Sequence, residues 1–259
     1  MIRKLLQLKL NVLFIMILLV GFFIFGSTLA SFDIFPFGQG YYLSIKGILL
    51  PANYLKDLCQ NHIDNFRFYG DVAKHNFTAP KIFLGDSLVS GIRDNDFFPK
   101  MSYRPIGSSG MVNECLSNIL NDVLFLKPKK ILLYIGGNDA DGQGRQTPQE
   151  SINSLKQFVV KLQENNIEVI IHGINYAAQN RDKQFVQELN EGYEETAKEL
   201  QVKYIPPFDK LDFQDETVEN NPLTYSGEHL KYEGYLVWFS HINQHLSDFN
   251  ADMPYHLPS

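Results

Sequence analysis

The sequence has few cysteines and no excess of positive charge, and each shortage argues against a class of function. Its only cysteines are Cys59 and Cys115, which lack the Cys-x-x-Cys spacing typical of structural zinc sites. Its 23 lysines and arginines are outnumbered by 29 aspartates and glutamates, which gives a net charge of −6. Because phosphate groups are bound by clustered cations, this balance argues against a nucleic-acid partner. It does not favour an electrostatic attachment to anionic lipid either.

Charged residues are also absent from a long segment near the amino terminus, residues 10–32. About 20 apolar residues cross a bilayer core, and Arg3, Lys4 and Lys9 precede the segment. The positive-inside rule then predicts a single-pass membrane protein whose remaining chain lies on the non-cytoplasmic side. A cleaved signal peptide would have the same charged start, and Thr28-Leu29-Ala30 is a passable cleavage site. A cleaved chain would be secreted, and a buried core helix is a third interpretation.

Export from the cytoplasm would change how the two cysteines behave. In an oxidising compartment Cys59 and Cys115 could pair and close a long loop, which would stabilise the fold by about 4 kcal/mol. They could also be two separate buried thiols that pack as small apolar residues. Pairing requires Cα atoms within about 7 Å of each other, so both interpretations stay open at this point.

Strand and helix patterns alternate along most of the chain. Strand patterns occur at residues 82–84, 130–135, 168–171 and 202–205. Helix patterns occur at residues 112–125, 148–163, 182–200 and 232–246. This alternation predicts an α/β fold with three α/β/α layers, in which a central parallel sheet of about five strands has a flavodoxin-like order. We therefore divide the chain into an amino-terminal anchor or signal peptide (1–32), a connecting region (33–79), one domain (80–250) and a tail (251–259).

Four short polar blocks lie within this alternating pattern. They are residues 85–88 (Gly-Asp-Ser-Leu), 106–110 (Ile-Gly-Ser-Ser-Gly), 134–139 (Tyr-Ile-Gly-Gly-Asn-Asp) and 227–230 (Gly-Glu-His-Leu). The first block places Ser87 at the end of a predicted buried strand, where a parallel sheet presents a nucleophile to a ligand. It lacks the second glycine of the Gly-x-Ser-x-Gly elbow, which argues against the common α/β-hydrolase type.

The order and content of these blocks resemble the SGNH, or GDSL-type, hydrolases over roughly residues 80–246. The resemblance implies that Ser87 is the nucleophile and His229 the general base. It also implies that the backbone NH of Gly110 and the side-chain amide of Asn138 form the oxyanion hole. The function implied is an ester hydrolase that works through an acyl-serine intermediate, and we expect neither a cofactor nor a metal. An acylated glycan or a lipid ester would suit an exported enzyme.

The fourth block departs from the family pattern at one position. The family usually has an aspartate three residues before the histidine, and this chain has Ser226 there. A neutral hydroxyl cannot stabilise an imidazolium as a carboxylate does. We therefore expect a Ser–His dyad first, and a replacement carboxylate such as Asp209 or Asp212 second. The missing acid also leaves two other functions open, an acyltransferase that uses the same site and a binding module that has lost catalysis.

The remaining histidines carry weaker signals. His172 follows a predicted strand and is expected to be a packed or hydrogen-bonded core residue. His241 and His245 are four residues apart on the last predicted helix, which is a spacing that can hold a metal. Because no third ligand is apparent, a solvated helix face is the better interpretation.

Overall fold

A computed structural model describes residues 59–60, 62, 79–94, 101–144, 146–175, 181–208, 223–224 and 229–249. All of them belong to one compact unit, Ala52–Ser259. The predicted anchor (1–32), the tail (251–259) and the residues Asp209, Asp212 and Ser226 lie outside the described residues. Within the described ranges, no helix combines the length and the apolar content needed to cross a bilayer.

A five-stranded parallel sheet forms the centre of this unit. Its strands are β1 (Lys81–Gly85), β2 (Arg104–Gly107), β3 (Lys130–Tyr134), β4 (Glu168–His172) and β5 (Lys203–Ile205). They are hydrogen-bonded in the order β2-β1-β3-β4-β5, and every neighbouring pair is parallel. The predicted α/β fold with a parallel sheet is therefore confirmed, and the order of its strands is that of flavodoxin.

Helices connect the strands. The described helices are α1 (Ser87–Asp94), a 3-10 turn (Asn113–Cys115), α2 (Leu116–Phe125), α3 (Gly137–Ala140), α4 (Pro148–Glu164), α5 (Lys183–Glu199) and α6 (Tyr232–His245). Local signals explain where α4 starts, because Thr147 and Glu150 form a reciprocal capping box with Pro148 at the first helical position. Asp182 caps the start of α5, because its carboxylate accepts hydrogen bonds from two backbone NH groups of the first turn.

Four elements differ from the sequence prediction. The short helices α1 and α3 were not predicted. The helix predicted for 112–125 begins as the 3-10 turn and becomes α-helical at Leu116. Strand β2 was not predicted, because its four residues include Pro105 and do not alternate between apolar and polar. Proline is tolerated there because β2 is an edge strand, where one row of backbone groups has no partner strand.

Helices cover both faces of the sheet. The connections from β2 to β3, β3 to β4 and β4 to β5 all run in one direction along the sheet, so right-handed crossovers place α2, α4 and α5 on one face. Contacts of α4 with α2 and with α5 agree with this arrangement. The connection from β1 to β2 runs the other way, which places α1 on the second face. Helix α6 joins α1 there, where the hydroxyl of Tyr235 donates to the carbonyl of Leu88 over 2.9 Å.

Trp238 of α6 is the centre of the aromatic core on this second face. Its ring lies 5.3 Å from that of Phe83 and 4.9 Å from that of Tyr134. Its indole NH donates to Nε2 of the buried His172 over 3.1 Å, so the other ring nitrogen, Nδ1, carries the proton and donates to the carbonyl of Gly173. Burial lowers the pKa of His172 to about 3, which keeps the ring neutral. His172 is thus a hydrogen-bonded core residue, as predicted.

A disulfide attaches part of the predicted connecting region to this domain. Cys59 and Cys115 are bonded, with Cα atoms 5.2 Å apart, and they are 56 positions apart in sequence. Both are buried, and so is His62, which lies three positions after Cys59. The alternative of two separate thiols is thereby excluded, and residues before position 80 contribute to the core.

We expect the double variant Cys59→Ser/Cys115→Ser to lose about 4 kcal/mol of unfolding free energy, because the bond restricts a long loop of the unfolded chain. Urea unfolding of both proteins, with and without a reductant, measures the difference. Reductant should lower the stability of the wild type to that of the double variant and leave the variant unchanged. An equal stability of the two proteins without reductant would contradict the bond.

Candidate active site

The first block lies where β1 meets α1. Strand β1 ends at Gly85, and Ser87 is the first residue of α1, with its side chain partly exposed. Between them the buried Asp86 accepts a hydrogen bond from the backbone NH of Leu88 over 3.0 Å. Burial raises the pKa of Asp86 to about 6. Asp86 therefore shapes the turn that presents Ser87 at the carboxyl end of the sheet.

The second block contains the last two residues of β2 and then turns beside the first block. Gly107 allows this approach, because a Cβ there would collide with backbone atoms of Asp86 and Ser90. The NH of Ser108 then donates to the carbonyl of Gly85 over 3.1 Å. Gly110 has a φ of +76°, a left-handed conformation that glycine adopts without strain. The turn exposes Ser109 and leaves Gly110 partly exposed, so the Gly110 backbone borders solvent.

The third block holds an amide next to that turn. Asn138 lies on α3, and its Nδ2 donates to the carbonyl of Met111 over 2.9 Å. An amide nitrogen carries two hydrogens, so a second one is left for a ligand. The neighbouring Asp139 is buried and accepts hydrogen bonds from the NH of Asn113 (3.1 Å) and the hydroxyl of Ser151 (2.8 Å). These bonds join α3 to the 3-10 turn that precedes α2 and to α4.

The fourth block brings an imidazole to the same edge of the sheet. His229 is exposed and stands three residues before α6 begins at Tyr232. An isolated antiparallel bridge between Thr224 and Leu230 holds the residue after it. The NH of Lys231 also donates to the carbonyl of Leu223 over 2.8 Å. The two residues that follow His229 in the sequence thus attach it to the domain.

The four blocks meet around one cleft of about 160 Å³. Every residue that the sequence assigned to the site contributes to its wall, namely Ser87, Gly110, Asn138 and His229. The other lining residues are Asp86, Leu88, Ser109, Asp141, Gln143 and Arg181. A hydroxyl, an imidazole, a backbone NH and an amide around one small space are the groups that acyl transfer requires.

An ion pair in the cleft wall was not predicted from the sequence. Arg181 donates to both carboxylate oxygens of Asp141, over 3.0 and 3.2 Å, and to the carbonyl of Asn175. Both side chains are largely buried, and Arg181 packs against Gly137, the residue before Asn138. A signal did exist, since residues between a parallel strand and the next helix gather at the carboxyl edge, and Arg181 precedes α5.

The other charged and imidazole groups have different surroundings. His241 uses its Nε2 to donate to the carbonyl of Pro206 over 2.9 Å, and it contacts the ring of His245. In the part of the chain that the structure describes, no cluster of three His, Cys, Asp or Glu side chains could hold a metal ion. The two carboxylates in the cleft wall are engaged, Asp86 with the backbone of its own turn and Asp141 with Arg181.

Comparison with known proteins shows what this architecture is similar to. No family model matches the chain, and no curated protein does either. A solved GDSL-like lipase from Bacteroides thetaiotaomicron is 22% identical, with a TM-score of 0.57, and the match covers 71% of this chain and 97% of that one. A structure described as an acylhydrolase from Bacteroides fragilis is 21% identical, with a TM-score of 0.55 and coverages of 75% and 96%. An acetyl-xylooligosaccharide esterase from Geobacillus is 14% identical, with a TM-score of 0.50 and coverages of 64% and 93%.

These likenesses establish the fold. The matches cover nearly the whole length of each of those proteins, so they extend across the sheet and the helices around it. The resemblance to the SGNH, or GDSL-type, hydrolases is therefore confirmed at the level of the fold. What each residue of the cleft does is a separate question, because one fold hosts many functions.

The buried Asp139 predicts how stability depends on pH. Burial raises its pKa from 3.8 to about 7, so the folded protein keeps a proton that the unfolded chain has already released. The stability that comes from this proton is complete below about pH 4 and is lost as the pH rises through about 7. We expect the unfolding free energy to fall between about pH 4 and 7, by up to about 4 kcal/mol, and to change little above that range.

Urea unfolding at several pH values measures this slope. Asp139→Asn should be less sensitive to pH than the wild type, because the neutral amide cannot ionise. The matched control is Asp182→Asn, since the exposed Asp182 is a helix cap and asparagine caps equally well. The assignment is wrong if Asp139→Asn keeps the wild-type slope.

Proposed function

We propose that this chain, which has the fold of the GDSL-type hydrolases, is a serine ester hydrolase that works through an acyl-serine intermediate. The observation that carries the proposal is the shared cleft of about 160 Å³, because Ser87, His229, Gly110 and Asn138 all line it. Each of these residues comes from a different block, and the fourth block begins more than 80 residues after the third block ends. A shared turn cannot account for their meeting, whereas one reaction centre does.

The first half of the reaction forms the acyl-enzyme. His229 accepts the hydroxyl proton of Ser87 as Oγ attacks the carbonyl carbon of the ester. Negative charge develops on the carbonyl oxygen, and the NH of Gly110 and the free hydrogen of the Asn138 amide donate to it. The bond between carbon and the alcohol oxygen then breaks, and the imidazolium of His229 returns its proton to the leaving alkoxide.

The second half releases the acid. Water replaces the alcohol in the cleft, His229 accepts one of its protons, and the hydroxide attacks the acyl carbon. When the tetrahedral intermediate collapses, Ser87 leaves and regains the proton from His229. The position of Ser87 at the start of α1 helps both halves, because the amino-terminal end of a helix carries partial positive charge that favours an alkoxide.

We infer that the base works in a Ser–His dyad. Asp86 and Asp141, the two carboxylates in the described wall of the cleft, are bonded to other groups. Ser226 stands where the family usually has an acid, and its hydroxyl can accept a hydrogen bond from the imidazole NH. A carboxylate from Asp209 or Asp212 is the alternative, and it would complete a triad.

We also propose that the enzyme is exported and held at the membrane by residues 10–32. The disulfide between Cys59 and Cys115 supports export, since such bonds persist in oxidising compartments. The uncharged length of the segment and its basic flank support a membrane anchor. In that location the substrate would be an acylated glycan or a lipid ester.

The full chain, purified in mild detergent, should hydrolyse nitrophenyl esters, and Ser87→Ala should lower kcat by at least about a thousandfold. The matched control is Ser109→Ala, because Ser109 is an exposed serine in the wall of the same cleft. Ser109→Ala should stay within a few-fold of the wild type, and equal losses in the two variants would refute Ser87 as the nucleophile. Acetyl, butyryl and long-chain esters compared side by side identify the preferred acyl length.

Two substitutions at Ser226 separate the dyad from a triad. In a dyad, Ser226→Asp supplies a charged partner for His229 and should raise kcat/KM, while Ser226→Ala should cost less than about tenfold. In a triad the added aspartate would stand beside another acid and slow the reaction. Rates are compared between about pH 5 and 9, the range in which a histidine base titrates. Two unchanged rates would mean that Ser226 does not face His229.

A further inference from the structure

A hydrogen bond between a serine and a histidine lies near the cleft but outside its wall. Nδ1 of His62 is 2.7 Å from Oγ of Ser108. The two residues are 46 positions apart, and His62 belongs to the region before the first strand. Ser108 belongs to the second block, directly before Ser109 and Gly110, which line the cleft.

Burial excludes this pair as a catalytic dyad. Ser108 is 2% exposed and His62 is 3% exposed, so no ester could reach the hydroxyl. Burial also lowers the pKa of His62, which keeps the ring neutral. A buried, neutral hydrogen bond fixes the relative position of the two chain segments that contain its partners. The role of this pair therefore depends on what those two segments do.

The segment on the Ser108 side leads directly to the oxyanion hole. The NH of Ser108 donates to the carbonyl of Gly85, and the NH of Met111 donates to the carbonyl of Ser108, each over 3.1 Å. The carbonyl of Met111 in turn accepts the hydrogen bond from the amide of Asn138. Both proposed donors, the NH of Gly110 and the amide of Asn138, therefore depend on where Ser108 sits.

The segment on the His62 side is fixed by a covalent bond. Cys59 lies three positions before His62 and is bonded to Cys115. Cys115 ends the 3-10 turn that begins two residues after Met111. His62 is therefore held against the second block from a rigid attachment point. The turn it contacts needs this support, because Gly110 restricts its own backbone less than any other residue type would.

We propose that His62 is a positioning residue for the oxyanion hole. Through Ser108 it holds the turn of residues 107–111, so that the NH of Gly110 and the amide of Asn138 point to the same place. The disulfide keeps His62 in contact with the turn. This inference rests on the proposed function for its effect on catalysis, while its structural part, the support of the turn, does not.

The test compares two substitutions of His62 in the full chain. His62→Leu fills a similar volume without a polar atom, whereas His62→Asn keeps a polar atom near the position of Nδ1. On nitrophenyl acetate, His62→Leu should lower kcat by about tenfold, because the transition state loses about the stabilisation that one hydrogen bond contributes. The KM should change by less than about twofold. His62→Asn should recover most of that loss. His241→Leu is the control, because it also replaces a histidine by leucine, and His241 is hydrogen-bonded to the carbonyl of Pro206 and not to this turn.

A second measurement does not depend on turnover. Backbone amide hydrogen exchange of the peptide covering residues 107–111 should be faster in His62→Leu than in the wild type, and unchanged in His241→Leu and Ser87→Ala. Unchanged exchange in His62→Leu would overturn the proposal. The proposal would also be overturned if His62→Asn failed to recover the kcat lost in His62→Leu and His241→Leu showed the same loss. If the wild type hydrolyses no ester, the proposed function fails with the catalytic part of this inference, and the exchange result still decides whether His62 supports the turn.

Discussion

The parallel pairing of β1 with both β2 and β3 is the constraint on which the site depends. Gly85, the last residue of β1, is in register with Gly107, the last residue of β2, and with Tyr134, the last residue of β3. Three blocks therefore leave the sheet at one level and on one edge. Glycines at the ends of β1 and β2 let the first two turns touch. The amide of Asn138 joins them through its hydrogen bond to the carbonyl of Met111.

Buried polar groups then hold the second and third blocks in one arrangement. Asp139 accepts hydrogen bonds from Asn113 and Ser151, while Asn138 donates to Met111. Burying a carboxyl group is costly unless its bonds are satisfied, and the raised pKa of Asp139 reflects that cost. The same bonds leave Asn138 few alternative positions, which is what a preorganised oxyanion donor requires.

The region before the first strand takes part in this arrangement. Cys59 and His62 are buried against the domain, one through a disulfide and the other through Ser108. The covalent bond forms only where the compartment is oxidising, so the chemistry of the compartment affects the packing beside the second block. The proposed export and the proposed support of the site by the disulfide are therefore connected, because the bond needs an oxidising compartment.

The sequence by itself determined the features that depend on local order. Alternating strand and helix patterns predicted the parallel sheet, and four blocks named Ser87, Gly110, Asn138 and His229, which line one cleft. Only the tertiary structure decided the contacts between distant positions. The pairing of Cys59 with Cys115, the bond of His62 to Ser108 and the ion pair of Arg181 with Asp141 join residues 40 to 56 positions apart. No local pattern encodes such contacts, because they form only after the sheet has brought its loops to one edge.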